Sequence, residues 1–268
     1  MASGRWHLIL FSPAYNVGSG IGELVRRMSA MKARLVADGV IIDRWYIVDD
    51  GSSDGTYEQL AKLAKAHPFL TLMRKPKNMG AARAVLGGLE AAMAGRPSAP
   101  AARTILVRLD TDLEHQPEDL PTVLAPLLDG RASVSVGFIP FDARSGPWVV
   151  GFNTKAGLEE SREFLGLDLP QFCPAFIAIR LDATRKIHSP YQALLQRFKR
   201  QHSEDMLSLD FALLASAKHA GFIIDAVPLS PIEDQYIKIA PISKQKQYAA
   251  YHKKTLDFLR KERQAGRL

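Results

Sequence analysis

Residues 45–60 read WYIVDDGSSDGTYEQL: an apolar run, two adjacent aspartates, a turn rich in glycine and serine, then a helical pattern. A strand that ends in carboxylates just ahead of a helix suits an open α/β sheet, where ligands sit beyond the carboxyl ends of the strands. A second stretch, TILVRLDTDLEHQPEDL (104–120), repeats the arrangement. Working outward, strands are expected at 7–12, 45–49, 69–74, 104–109 and 133–139. The helices between them are expected at 21–37, 56–66, 80–94 and 117–129. Strands alternating with helices pair in parallel through right-handed crossovers. Continuous apolar runs such as TILV suit strands covered on both faces. The fold class is therefore α/β, a mostly parallel sheet flanked by helices.

After residue 140 the rhythm changes. A loop (140–148), a helix (154–165), a strand in CPAFIAIR (173–180), helices near 190–200 and 206–220, a late strand (222–230) and a basic terminal helix (244–264) are expected. No tract rich in Pro, Gly or Ser separates domains. The expectation is one domain over 1–268, with a first half to 130, a second half over 131–243 and the basic helix over 244–268.

The chain has 268 residues, 47% hydrophobic and 24% charged, which is an ordinary globular composition. It contains no apolar run of transmembrane length. Its single cysteine, Cys173, fits a reducing compartment, so a cytoplasmic location is expected, peripheral at the inner face of a membrane. The formal charge of +7 is concentrated at the end: residues 243–268 hold eight Lys or Arg against Asp257 and Glu262. Such a tail is either a solvated helix face or a surface for an anionic partner, and Leu256, Phe258 and Leu259 would strengthen contact with an anionic membrane. Nucleic acid is not expected, because no aromatic residues interleave the basic ones.

Neighbouring carboxylates repel, so each pair needs a cation, donors or water. Asp110 and Asp112 can approach one hard cation and Glu114 can add an oxygen, as in a Mg²⁺ or Mn²⁺ site completed by substrate phosphates. Asp50 would accept from a nucleobase or ribose. Ser53 or Asp54 caps the following helix. His115 is either a metal ligand or a packed loop residue. Arg83 is either solvated or reaches a phosphate, and Trp45 and Trp148 serve as core or as sugar platforms.

At this point the two motifs, IVDDGSSDGT and LDTDLEHQPEDL, resemble the family 2 glycosyltransferases with the GT-A fold. The second is similar to the dolichyl-phosphate mannosyltransferase branch and its polyprenyl-phosphate relatives. SPAYN (12–16), KNMGAARAVLGGL (77–89) and LDFALLASAKHAGFIIDAVPLS (209–230) follow in the order of that family, and the resemblance covers roughly residues 7–245. It implies a nucleoside diphosphate sugar as donor, transfer with inversion, and a Mg²⁺ or Mn²⁺ ion. By position, Pro13 and Tyr15 would contact the nucleotide, with Asp50 on its base and Val48 behind. Asn78 and Gly80 belong to the Asn-x-Gly segment. Asp110 and Thr111 would touch the nucleotide sugar, Asp112 and Glu114 would hold the metal, and Lys244 would bind phosphate.

A phosphate acceptor is already an oxyanion, whereas a hydroxyl acceptor needs a carboxylate to take its proton. HSEDMLSLDF (202–211) offers Glu204, Asp205 and Asp210, though acids are also favoured at a helix start. VGFIPFD (136–142), CPAFIAI and Gln235 lack the arginines of the polyprenyl-phosphate enzymes. The acceptor therefore stays open between a lipid phosphate and a soluble hydroxyl compound such as a saccharide, a small organic acid or a protein. A catalytically silent nucleotide-sugar binder is the remaining reading.

Overall fold

The computed structural model describes residues 4–95, 97–140, 155–169, 174–206, 208–236 and 242–268. The first strand, β1 (Trp6–Ala14), shows how the sheet is built. Leu8 and Leu10 enter one core and Ile9 and Phe11 the other, so successive side chains are buried on opposite faces. That is why HLILF is continuously apolar. The same alternation runs through β2 (Val40–Asp49), β3 (Leu70–Arg74) and β4 (Thr104–Arg108). Helices α1 (Gly20–Ala37) and α2 (Thr56–Ala66) cover one face, and α3 (Ala81–Ala94) covers the other.

Strands β5 (Val134–Phe138), β6 (Phe176–Arg180) and β7 (Ile224–Pro228) complete a seven-stranded sheet of order β3-β2-β1-β4-β6-β5-β7. All neighbours run parallel except at β6, which is antiparallel to both β4 and β5. The chain order reverses between β1 and β4, and in open α/β sheets the ligand crevice lies beyond the carboxyl ends of the strands at such a reversal. Both aspartate pairs flank that crevice.

Helices α4 (Leu120–Leu128), α5 (Lys155–Leu165), α6 (Leu181–His202), α7 (Leu209–His219) and α8 (Ile242–Gln264) complete the layers. Three expectations change. A single helix, α6, replaces one expected near 190–200. Pro190 suggests a break, yet the buried face Ile187, Tyr191, Leu194 and Phe198 runs through it. The helix ends instead at Ser203, in the left-handed region at φ 57°. Helix α7 then starts only at Leu209.

The third change concerns the basic tail. Leu256, Phe258 and Leu259 are buried, and Phe258 packs edge-on against Phe198 of α6. They are core residues and not a lipid-facing stripe. Much of the charge is also neutralised: Lys254 pairs with Glu204, Arg260 with Glu163, and Arg267 with Glu262. Among the described residues no helix is long and apolar enough to cross a membrane. Cys173, Trp148 and most of the 140–148 loop lie outside the described residues.

Candidate active site

Two loops form the walls of the crevice. At the end of β2, Asp49 and Asp50 are both buried. Asp50 accepts the backbone N–H groups of Met79 at 3.0 Å and Gly80 at 2.8 Å, so both its oxygens hold the loop that starts α3. Asp49 accepts from the Ser52 N–H at 3.3 Å and lies 3.6 Å from the Arg74 guanidinium. Gly51 sits at φ +74°, and a Cβ there would fall 2.5 Å from the Lys77 backbone, so only glycine fits. Asp54 accepts from both the N–H and the hydroxyl of Thr56, the first residue of α2, but the cap itself is Gly55 and not the expected Ser53 or Asp54. The same Thr56 hydroxyl receives the N–H groups of Val17 and Gly18, and Asn16 bonds to Ser52 and Ser53. The loop after β1 is thereby tied to the loop after β2. Tyr15 stands exposed between them, Pro13 is half-buried and Val48 is fully buried. Trp45 is core, stacked on Phe69 with its indole N–H on Ser12.

The β4 loop is built differently. The Thr111 hydroxyl donates to the Pro13 carbonyl at 2.8 Å and straps the loop to β1. Leu113, wholly buried, adopts φ 65°, a conformation that costs a branched residue energy and is held here by its packing. Asp112 and Glu114 are half-buried at the crevice, and the Glu114 N–H donates to Asp112 Oδ1 at 3.3 Å. His115 is buried edge-on against Phe176, and neither ring nitrogen has a hydrogen-bond partner among the described residues. Burial pushes its pKa down, so the ring is neutral. That is the packed-loop alternative. The rest of the motif is bracing. Gln116 and Glu118 accept from Arg27 of α1, Gln116 also donates to the Pro231 carbonyl, and Asp119 accepts from Ser230. Arg27 reaches Glu233 as well.

Arg108 is the residue that motif reading missed. It follows Leu106 in the alternation of β4 and therefore faces the core shared with α3 and α7. Its guanidinium donates to the Ala175 carbonyl at 2.7 Å, pairs with Asp110 at 2.9 Å and lies 3.2 Å from Asp210. Burial opposes its charge, but Asp110 and Asp210 more than offset this and hold its pKa above the ordinary range. Burial pushes the Asp210 carboxyl up to about 6, against the pull of Arg108. A lone arginine inside an apolar strand run is the signal that could have revealed the cluster, since a buried charge must be paired.

The other expected residues occupy a second cluster. Asp205 pairs with Arg83 of α3 at 2.6 Å and with Lys199 at 2.9 Å, and its carbonyl accepts from the Tyr251 hydroxyl. Glu204 pairs with Lys254. Both acids therefore already hold cations, and Asp205 lies below the usual carboxylate range despite its partial burial. Asn78 accepts from the Gly80 N–H at 3.0 Å, beside Asp50. The backbone of Lys244 lies in the first turn of α8, and its side chain is outside the described residues.

A family model described as glycosyl transferase family 2 matches residues 10–188. Polyprenol monophosphomannose synthase of Mycolicibacterium smegmatis is 30% identical over 145 residues, covering 53% of this chain and 52% of that protein. The matched region spans between 30% and 52% of the length of such curated relatives. Two solved structures share the fold. Mannosyl-3-phosphoglycerate synthase from Rubrobacter xylanophilus aligns over 98% of this chain and 76% of its own, at TM-score 0.61 and 16% identity. The mannosyltransferase PcManGT from Pyrobaculum calidifontis, in complex with GDP-Man and Mn²⁺, aligns over 87% and 59%, at TM-score 0.51 and 17% identity. The parallel sheet with its reversed strand β6 is the GT-A architecture, and this chain belongs to glycosyl transferase family 2.

Proposed function

We propose that this chain transfers a hexose from a nucleoside diphosphate sugar to an acceptor, with inversion at the anomeric carbon. The observation that carries the reading is the β4 loop. Thr111 straps it to the Pro13 carbonyl, and Asp112 and Glu114 stand half-buried at the mouth of the crevice. Tyr15 and Pro13 wall the nucleotide and Val48 backs it. Each Asp50 oxygen has a lone pair beyond the one that holds Met79 or Gly80, and it accepts from the base with that. Asn78 and Gly80 line the donor's path, Thr111 and Asp110 meet its sugar, and Lys244 meets phosphate.

A Mg²⁺ or Mn²⁺ ion fits the donor set, which is hard carboxylate oxygen. Among the described residues no three acidic or histidine side chains gather as a cage. Two carboxylates, Asp112 and Glu114, with the donor's phosphates and water make the usual complement for such an ion. When bound, it supplies Lewis-acid stabilisation of the departing diphosphate. The protein's own share is positioning: the loop is braced through Glu118 and Gln116 on Arg27, so the two carboxylates are held before the donor arrives.

The acceptor in this reading is a polyprenyl phosphate, in line with the name of the mycobacterial relative. It approaches from the cytoplasmic face of the membrane, where the exposed Lys253 and Lys261 of α8 would meet anionic headgroups. A soluble hydroxyl acceptor is favoured by one observation. Asp210, with its carboxyl pushed up to about 6 and set beside the Arg108–Asp110 pair, has the character of a general base that a phosphate acceptor would not need. Glu204 and Asp205 are the other candidates, once freed from Lys254 and Arg83.

Thermal-shift titration with GDP- and UDP-sugars tests the donor site. A rise in melting point that requires Mn²⁺ is expected, because a ligand held only by the native state stabilises it. No rise with any donor would remove the reading. Radiolabelled donor offered with polyprenyl phosphate, and separately with soluble hydroxyl acceptors, then decides the acceptor.

A further inference from the structure

The basic end of the chain is only partly neutralised. Lys254, Arg260 and Arg267 have acidic partners, whereas Lys253 and Lys261 are exposed and have no ion pair among the described residues. Their place along α8 follows a pattern. Lys253, Lys254, Asp257, Phe258 and Lys261 recur at the three- and four-residue spacing that puts side chains on one helix face. That face lies against the last turn of α6. Between them the two helices leave a cleft of about 300 Å³, lined by these five residues and by His202. Phe258 is its apolar part, buried and packed edge-on against Phe198.

The charge in the cleft is lopsided, since three lysines line it against one acid. Asp257 lies 4.0 Å from Arg260 of its own helix, and Lys254 is held by Glu204. That leaves Lys253 and Lys261, four residues to either side of Asp257, as two ammonium groups available to an anion. His202 adds a group of another kind. Its ring packs on Phe198, with centroids 4.5 Å apart, and on Phe258 at 6.3 Å, so aromatic contacts set its orientation. Its Nε2 is buried and has no hydrogen-bond partner among the described residues. A buried polar atom of this kind calls for a partner from outside the chain.

We propose that this cleft between α6 and α8 binds a phosphate group, with Lys253 and Lys261 as its cations and Nε2 of His202 donating to a phosphate oxygen. Lysine binds phosphate as a point charge, and a cleft of this volume is at the lower end for ligand sites. The site does not depend on the donor-site reading. It also goes beyond a headgroup contact made by charge alone, because it requires His202 and the enclosed cleft. Free phosphate and the headgroup of phosphatidic acid present the same chemistry, and the experiment separates these two sources.

The full chain is titrated with inorganic phosphate by calorimetry, without divalent metal, and sedimented with phosphatidylcholine vesicles that contain phosphatidic acid. Binding is expected in at least one arm. Binding of free phosphate only assigns the cleft to soluble compounds, and binding of vesicles only assigns it to a lipid headgroup. In the arm that binds, Lys253→Ala combined with Lys261→Ala should weaken binding roughly tenfold or more. His202→Phe keeps the packing on Phe198 and Phe258 but loses the ring nitrogen, and should weaken binding about three- to tenfold. Lys62→Ala combined with Lys65→Ala removes the same charge from exposed positions of α2 and should stay within about twofold of wild type. No binding in either arm would overturn the inference. So would an equal loss in the α2 control, or a loss in the α8 lysine variant with none in a folded His202→Phe, which reduces the contact to surface charge. The donor site stands in each of these cases.

Discussion

At the end of β2 both carboxylates are buried in the empty protein, Asp49 at 0% and Asp50 at 2% exposure. At the end of β4, Asp110 keeps 30% side-chain exposure, and Asp112 and Glu114 stay half-buried at the crevice. The two loops read alike as apolar run, aspartates and turn. What separates them is where their hydrogen bonds go. The first loop spends its acids on backbone N–H groups and so fixes the entry to α3. The second is fixed from behind, by Thr111 on Pro13, by Arg27 on Glu118 and by Arg108 on Asp110, which leaves Asp112 and Glu114 at the opening. A carboxylate at a strand end can hold its own loop from inside or stand at the opening, and the packing around the loop decides which.

Four experiments bear on this contrast, beginning with the largest effect. Asp112→Ala should lower sugar transfer on the order of a thousandfold while shifting unfolding stability by less than about 1 kcal/mol. Initial rates and urea denaturation on the same preparation check both halves. Gly51→Ala should do the reverse. A Cβ 2.5 Å from the Lys77 backbone at φ +74° costs roughly 3 to 4 kcal/mol, visible as a lower urea midpoint.

The third experiment is a pH series on Asp210. Its folded pKa of about 6 lies above the ordinary 3.8, so the native state binds the proton more tightly than the unfolded chain. Stability should therefore fall as pH rises from about 4 to 6 and level off beyond, by on the order of 2 to 3 kcal/mol. Asp210→Asn should abolish that slope. The difference between the two proteins' urea midpoints should open between these pH values and stay constant above them. A flat difference across the range would show that Asp210 is ionised in the fold throughout.

The smallest effect is expected for Asp50→Asn, which turns one acceptor oxygen into an N–H donor facing a backbone N–H. It should cost about 1 to 2 kcal/mol. Amide exchange at Met79 and Gly80 should quicken more than elsewhere. Unchanged exchange there would mean that Asp50 does not hold its own loop, and the contrast between the loops would weaken.

Much of the fold was legible because both of its periodicities are local. HLILF and TILV are continuous because both faces of the sheet are covered, and α1 shows its buried Ile21, Leu24, Val25, Met28, Met31 and Leu35 as a 3.6-residue stripe. The direction of β6 was not legible, since nothing in FIAIR distinguishes a parallel partner from an antiparallel one. The full length of α6 was not legible, since Pro190 lies within it and burial on both sides outweighs the bond the proline removes. The apolar residues of the basic helix, Leu256, Phe258 and Leu259, were expected to strengthen contact with an anionic membrane. Only Phe198, arriving from α6, chose core.

For the site, the sequence by itself determined which residues could carry the chemistry: carboxylates at two strand ends, with glycine where the backbone must turn. Those are properties of residue type and of spacing along the chain. Tertiary structure alone decided how each was used. Asp50 meets Met79 and Gly80, 29 and 30 residues further along. Asp110 shares Arg108 with Asp210, and Asp205 is held by Arg83, 122 residues before it. A charged group's behaviour depends on its solvation and on the charges within a few ångströms of it, and those neighbours are set by packing between distant parts of the chain.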